Sequence, residues 1–128
     1  TGKRLKFTGM SYSLKKNQLE VTVELTGGNR TCQGHSSGIN TKRNSLRLFA
    51  KASIEAINQF LEPHNLITLE DVAQFTLGNQ DVISTTLIFC RGLSEEILVG
   101  SALVRQDDKD AVVRATLAAV NRRVPMEI

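Results

Sequence analysis

Two stretches of this chain, 63 positions apart, carry nearly the same eight-residue pattern. Lys51-Ala52-Ser53-Ile54-Glu55-Ala56-Ile57-Asn58 and Arg114-Ala115-Thr116-Leu117-Ala118-Ala119-Val120-Asn121 agree as basic, Ala, hydroxyl, aliphatic, any, Ala, β-branched, Asn. Only Glu55 against Ala118 is unmatched. A shared pattern this specific restricts the fold to one that uses the same unit twice. The likeness extends beyond the helices: Asn17-Gln18 matches Asn79-Gln80, Leu25 matches Leu87 and Gly38 matches Gly100, all offset by 62. The step from 62 to 63 predicts one extra loop residue before the second helix.

The elements follow from local periodicity. Leu5 to Leu14 spaces its apolar residues mostly two apart, as a strand does, and Gly9 interrupts it as a β-bulge would. After the polar turn Lys15–Gln18, Leu19, Val21, Val23 and Leu25 alternate with Glu20, Thr22 and Glu24, the mark of a half-buried strand. Gly27-Gly28-Asn29 supplies a hairpin turn, and Arg30 to Gly34 returns as a third strand. Gly34 to Asn44 has no aliphatic period and is expected to be a polar loop. A helix is predicted from about Asn44 or Ser45 to Leu61, with Leu46, Phe49, Ala50, Ser53, Ile57 and Phe60 on one face and Pro63 beyond its end.

The second half repeats this order. A strand is expected in Ile67–Leu77 with Val72, Phe75 and Leu77 facing inward, then a turn at Gly78-Asn79-Gln80. Further strands are expected at Val82–Cys90 and Glu96–Val104. Asp107 or Asp108 caps a helix running to about Arg123. The expected fold is α+β: tandem β-β-β-α units, in which each antiparallel sheet is covered by one helix. The chain of 128 residues then forms one domain of two pseudo-repeats, about 5–61 and 67–123.

An apolar share of 41% against 23% charged is enough to bury a globular core. No run approaches the ~18 apolar residues of a membrane span, and no secretory signal is expected. The opening Thr1-Gly2 reads as an excised domain or a tagged chain. Cys32 and Cys90 stand in no metal spacing and are expected to be buried thiols of a cytoplasmic protein. The basic ends Lys3, Arg4, Lys6 and Arg122, Arg123 fit a soluble domain with charged ends better than a nucleic-acid binder.

No catalytic constellation emerges. Gly34-His35-Ser36-Ser37-Gly38 matches G-x-S-x-G, but a nucleophile elbow needs a strand that leads straight into a helix. His35 and His64 form no metal set, and Asp107, Asp108 and Asp110 are better helix caps than calcium ligands. No cofactor is expected. The candidate ligand site is the pair of loops before the helices, where exposed N–H groups receive an anion or carboxylate. Its residues are Gly34, Ser36, Gly38, Asn40, Gly100, Ser101, Asp107 and Asp108.

The doubled plan resembles the C-terminal regulatory domain, or LeuA dimer domain, of 2-isopropylmalate and citramalate synthases. Gly100, the acidic loop, Asp110-Ala111-Val112-Val113-Arg114-Ala115-Thr116, and the run through Ala119 to Asn121-Arg122 carry the likeness. In the first unit Gly34-His35-Ser36-Ser37-Gly38-Ile39-Asn40 stands where that family has Gly-x-Gly-Pro-x-x-Ala. The resemblance implies a non-enzymatic regulatory or ligand-sensing module for a small carboxylate or amino acid, working as a homodimer. The alternatives are a scaffolding domain without a small ligand and a basic nucleic-acid-binding domain.

Overall fold

The computed structural model describes residues 4–126. Its elements run β1 (Lys6–Lys15), β2 (Gln18–Gly27), β3 (Arg30–Ile39), α1 (Lys42–Asn58), β4 (Asn65–Leu77), β5 (Gln80–Arg91), β6 (Ser94–Leu103) and α2 (Asp108–Asn121). Strands β1-β2-β3 form one antiparallel sheet, A, and β4-β5-β6 a second, B. The fold is α+β, with β-β-β-α used twice.

The repeat reaches into the irregularities. Register slips between Phe7 and Gly9 in β1 and between Leu69 and Asp71 in β4. Phe7 faces Leu25 and Leu69 faces Leu87, pairs offset by 62. The interruption expected at Gly9 is this bulge. The β4–β5 hairpin turns on Gly78 (φ 56°) and Asn79 (φ 69°), two consecutive left-handed residues whose twist matches that of the flanking strands.

Four expectations need correction. The third strand does not stop at Gly34: β3 continues to Ile39, so the polar loop contracts to Asn40-Thr41. Register puts Cys32, Gly34, Ser36 and Gly38 on the side facing α1, opposite Leu25, Val23, Val21 and Leu19. These residues are small because the helix lies close, and an inner face of small residues has no aliphatic period to detect. Helix α1 accordingly starts earlier, with Thr41 as N-cap, and ends at Asn58. The matching glycine of Gly100 is therefore Gly34, not Gly38, and 15 rather than 18 residues separate it from the helix alanine (100 to 115, 34 to 52). The second loop is longer, as expected, but by two residues rather than one (Val104 to Asp107 against Asn40-Thr41), and the shortening comes from the end of β6 and the first turn of α2. Finally, the β4 bulge leaves Val72 inside but turns Phe75 and Leu77 to the opposite face.

Each position of the helical repeat has a physical role. A Cβ on Gly34 would lie 2.0 Å from the Ala52 carbonyl oxygen and 2.5 Å from the Ala56 nitrogen. On Gly100 it would lie 2.1 Å from the Ala115 oxygen and 2.5 Å from the Ala119 nitrogen. Glycine on the strand and Ala-x-x-x-Ala on the helix together set this backbone approach. Fully buried Ser53 and Thr116 satisfy their hydroxyls within the helix by donating to the Phe49 and Val112 carbonyls, both at 2.8 Å. Asn58 accepts from the Ile67 N–H (2.9 Å) and donates to the Ile67 carbonyl (3.0 Å). Asn121 does the same to Leu5, at 3.0 and 3.2 Å. Each helix thus fastens the leading strand of the other unit.

The unmatched position has a role as well. The Glu55 carboxylate accepts from the His35 N–H at 3.2 Å, and Gln59 donates to the Gln33 carbonyl at 2.6 Å, so α1 caps the free edge of β3. Ala118 has no side chain that could do this for β6.

One hydrophobic cluster spans both units, with Phe49, Phe60 and Phe89 its largest fully buried side chains. Each such burial contributes on the order of 1.5–3 kcal/mol. Helix α1 lies over β2 and β3 and also touches β4 and α2, while α2 covers β5 and β6. This is why α1 buries Leu48 and Ile54 besides the predicted face, and Ala52 and Ala56 are buried against the sheet as their size leads one to expect.

The two outer sheet faces differ. On sheet A, Thr8, Thr26 and Thr31 join in a hydroxyl ladder with 3.1 Å links, and Thr22 meets His35 Nδ1 at 3.0 Å. On sheet B, register places Leu66, Phe75, Ile97, Val99 and Leu103 on the outer face, all well exposed. Among the described residues no helix is long and apolar enough to cross a membrane.

Candidate functional site

The eight residues expected to line two ligand loops are distributed over strands and caps. Gly34, Ser36 and Gly38 lie in β3, and Gly34 is buried against the α1 backbone. Asn40 is exposed in the short connection, its N–H donating to the Asn17 carbonyl at 2.8 Å. Gly100 is buried against α2, while Ser101 points outward from β6 and pairs with Ser84 at 2.6 Å. Asp107 is the N-cap of α2 and Asp108 its first residue. The first group belongs to sheet A and the second to sheet B and its helix. Ser36 sits inside a strand that continues three residues further, so G-x-S-x-G here is not a strand-to-helix elbow.

The helix starts differ in charge. At α2 the Asp107 carboxylate accepts from the Lys109 N–H at 3.0 Å, and Asp108 and Asp110 add negative charge, so the chain's own acids occupy the positive end of the helix dipole. Burial pushes the Asp107 carboxyl up, but the Lys109 N–H and the Lys109 ammonium outweigh it and hold the group below its ordinary value of 3.8. At α1 the Thr41 hydroxyl accepts from the Asn44 N–H at 3.0 Å, and the first turn holds Lys42 and Arg43 with no acid. Cations stand there against the dipole.

Those cations line an open cleft of about 670 Å³ between the two units. One wall is Lys42, Arg43 and Leu46 of α1, and the other is Asp71 to Thr76 of β4 with Asp81 at the start of β5. Leu46 and Val72 are buried and form an apolar floor. Arg47 and Asp71 form an exposed ion pair across the junction at 3.4 Å. Asp81 accepts from the Thr76 hydroxyl at 3.2 Å.

No protein-family model matches the chain, and no curated protein matches it.

Opposite charges on facing walls over an apolar floor suit a small molecule that carries both signs. A carboxylate fits beside Lys42 and Arg43, an ammonium beside Asp71 and Asp81, and an aliphatic or aromatic group over Leu46 and Val72. The sequence reading missed all of these residues, because they meet only when the two units pack. One local signal was present: Lys42-Arg43 stands immediately before the predicted helix start, and no acid follows in the first turn.

Proposed function

We propose that the chain is a non-catalytic regulatory module that senses a small carboxylate or amino-acid-like ligand and works as a homodimer. The cleft between the units carries this reading, because its cationic wall comes from one repeat and its carboxylates from the other. A ligand spanning both walls favours the arrangement in which they face each other. It stabilises the native state by RT ln(1 + [L]/Kd), about 2.7 kcal/mol at a hundredfold excess over Kd. The resemblance to a regulatory domain of amino-acid-pathway enzymes agrees with such a ligand class.

Thermal denaturation against a panel of α-amino acids and small mono- and dicarboxylates tests the proposal. At least one compound is expected to raise Tm in a concentration-dependent way, and Arg43→Ala or Asp81→Asn is expected to abolish the rise. A flat response across the panel, or a shift that survives both substitutions, would refute the cleft as the site.

A scaffolding role without a small ligand draws on a different observation, the exposed apolar outer face of sheet B.

A further inference from the structure

We infer that the outer face of sheet B packs against the same face of a second copy, about a two-fold axis. The inference rests on the self-association in the proposed function and is independent of the ligand.

The sheet's two faces can be told apart by register. Ile83, Thr85, Leu87 and Phe89 of β5 face α2 and are buried within the protomer. The alternate residues face outward, where no element among the described residues lies over them. Ile97, Val99 and Leu103 on β6 are 66%, 65% and 43% exposed, and Leu66 and Phe75 on β4 are 49% and 42% exposed. The corresponding face of sheet A carries hydroxyls and Glu24 instead. A duplicated unit that keeps one outer face polar and makes the other apolar has two different environments for its two sheets.

Size and chemistry favour a second copy as the occupant. Strands of 10 to 13 residues, at ~3.3 Å per residue and ~4.8 Å apart, give a face of roughly 500 Å² in plan. Side-chain relief enlarges the accessible area, so two copies bury on the order of 1,000–1,500 Å², enough for a specific interface at the ~1,000 Å² threshold. The one charge that register places in the middle rungs, Asp71 beside Thr86 and Val99, lies on the edge strand β4 and is paired with Arg47 at 3.4 Å. Its central polar groups, the Ser84 and Ser101 hydroxyls, already bond to each other at 2.6 Å, so they enter a dry contact with a partner in hand. A largely apolar face whose central hydroxyls are paired and whose carboxylate has its own cation meets itself without mismatch, and packed sheets are stable at a small crossing angle. The result is a layered helix–sheet–sheet–helix assembly.

Sedimentation equilibrium on the whole chain, wild type and variants, decides. The wild type is expected to be a dimer at micromolar concentration. Ile97→Lys and Val99→Lys replace exposed side chains, so far-UV circular dichroism is expected to be unchanged while the dimer Kd rises more than 100-fold. Ser11→Lys, on the outer face of sheet A, is expected to leave the dimer intact. Cys90 also lies on the outer face of sheet B, half-buried, whereas Cys32 faces α1 in sheet A. Alkylation of Cys90 is therefore expected to be at least tenfold slower in the dimer than in the Val99→Lys monomer, with Cys32 as internal reference. A wild type monomeric at ~100 µM would overturn both this surface and the homodimer. A dimer that resists Ile97→Lys and Val99→Lys would overturn the surface alone, and its disruption by Ala118→Glu would move the contact to the β6 edge.

Discussion

Asn58 and Asn121 make the same pair of hydrogen bonds on opposite halves of the molecule, each accepting a backbone N–H and donating to the carbonyl of the same residue, Ile67 or Leu5. Each helix C-terminus thereby holds the first strand of the other unit. Neither clamp can form within a single unit, so the repeat is stable as a pair.

Replacing either Asn with Ala leaves a partly buried N–H and C=O without their partner. Each substitution is expected to destabilise by about 2–3 kcal/mol. Urea denaturation of Asn58→Ala and Asn121→Ala checks this; a change below ~0.5 kcal/mol in both would remove the clamp from the account of stability.

Gly34→Ala and Gly100→Ala drive a methyl group to within 2.0 and 2.1 Å of a helix carbonyl oxygen, closer than any Cβ contact allows. Each is expected to cost at least ~1–3 kcal/mol, because the helix has to move off the sheet. Gly38→Ala meets only the side chains of Asn44 and Leu48, at 3.2 and 3.3 Å, and is expected to cost less. The ordering of the three denaturation midpoints is the measurement.

Thr85 is fully buried, and its hydroxyl has no hydrogen-bond partner among the described residues. The first unit has Val23 at the matching place, opposite Gly34 as Thr85 is opposite Gly100. Thr85→Val keeps the shape and removes the unsatisfied group, so it is expected to stabilise by about 1 kcal/mol. A loss of stability would reveal a partner for that hydroxyl.

Much of this architecture was legible in the sequence because the helices had to repeat Ala, hydroxyl and Asn at fixed spacing to meet glycine, helix backbone and the opposite strand. Strand β2 was legible because one face is aliphatic and the other polar. Strand β3 was not, since closeness to α1 demands Gly and Ser where a sequence pattern would look for Val and Leu. Phe75 and Leu77 were placed on the wrong face because a bulge resets parity without altering composition. The cleft was hidden for another reason: Arg43 and Asp81 lie 38 positions apart (43 to 81) and share a wall-to-wall space only through tertiary packing.

Helix α2 should respond to acid through its cap. The folded-state pKa of Asp107 is depressed, so its contribution is fully present above the ordinary value of 3.8 and is lost as pH falls through the lower folded value. Asp107→Asn keeps an acceptor for the Lys109 N–H but cannot titrate. The variant is expected to show a shallower loss of stability with falling pH in that window than the wild type. Parallel slopes would mean that the Asp107 charge contributes nothing to acid stability.

The amide of Ser101 is expected to exchange with solvent faster than that of His35 in the monomeric Val99→Lys variant. Ser101 is paired with Ser84 as His35 is with Thr22, one residue beyond the strand glycine. Glu55 accepts from the His35 N–H, whereas Ala118 stands at the matching helix position. Hydrogen exchange followed by NMR compares the two directly, and Ala118→Glu is expected to slow exchange at Ser101.

The hairpin joining β5 to β6 runs six residue pairs beyond Gly100, from Thr86–Val99 to Arg91–Ser94, whereas the β2–β3 hairpin runs four beyond Gly34. The difference is even, and the pairs of an antiparallel ladder alternate between hydrogen-bonded and non-hydrogen-bonded. Growth by two rungs therefore lengthens the projecting arm and keeps the same kind of pair at the two-residue turn, Gly27–Arg30 in one hairpin and Arg91–Ser94 in the other, while a single inserted rung would put the turn on the wrong kind of pair. Arm length in this fold is a variable that can change only in double steps, and the second unit differs from the first by one such step.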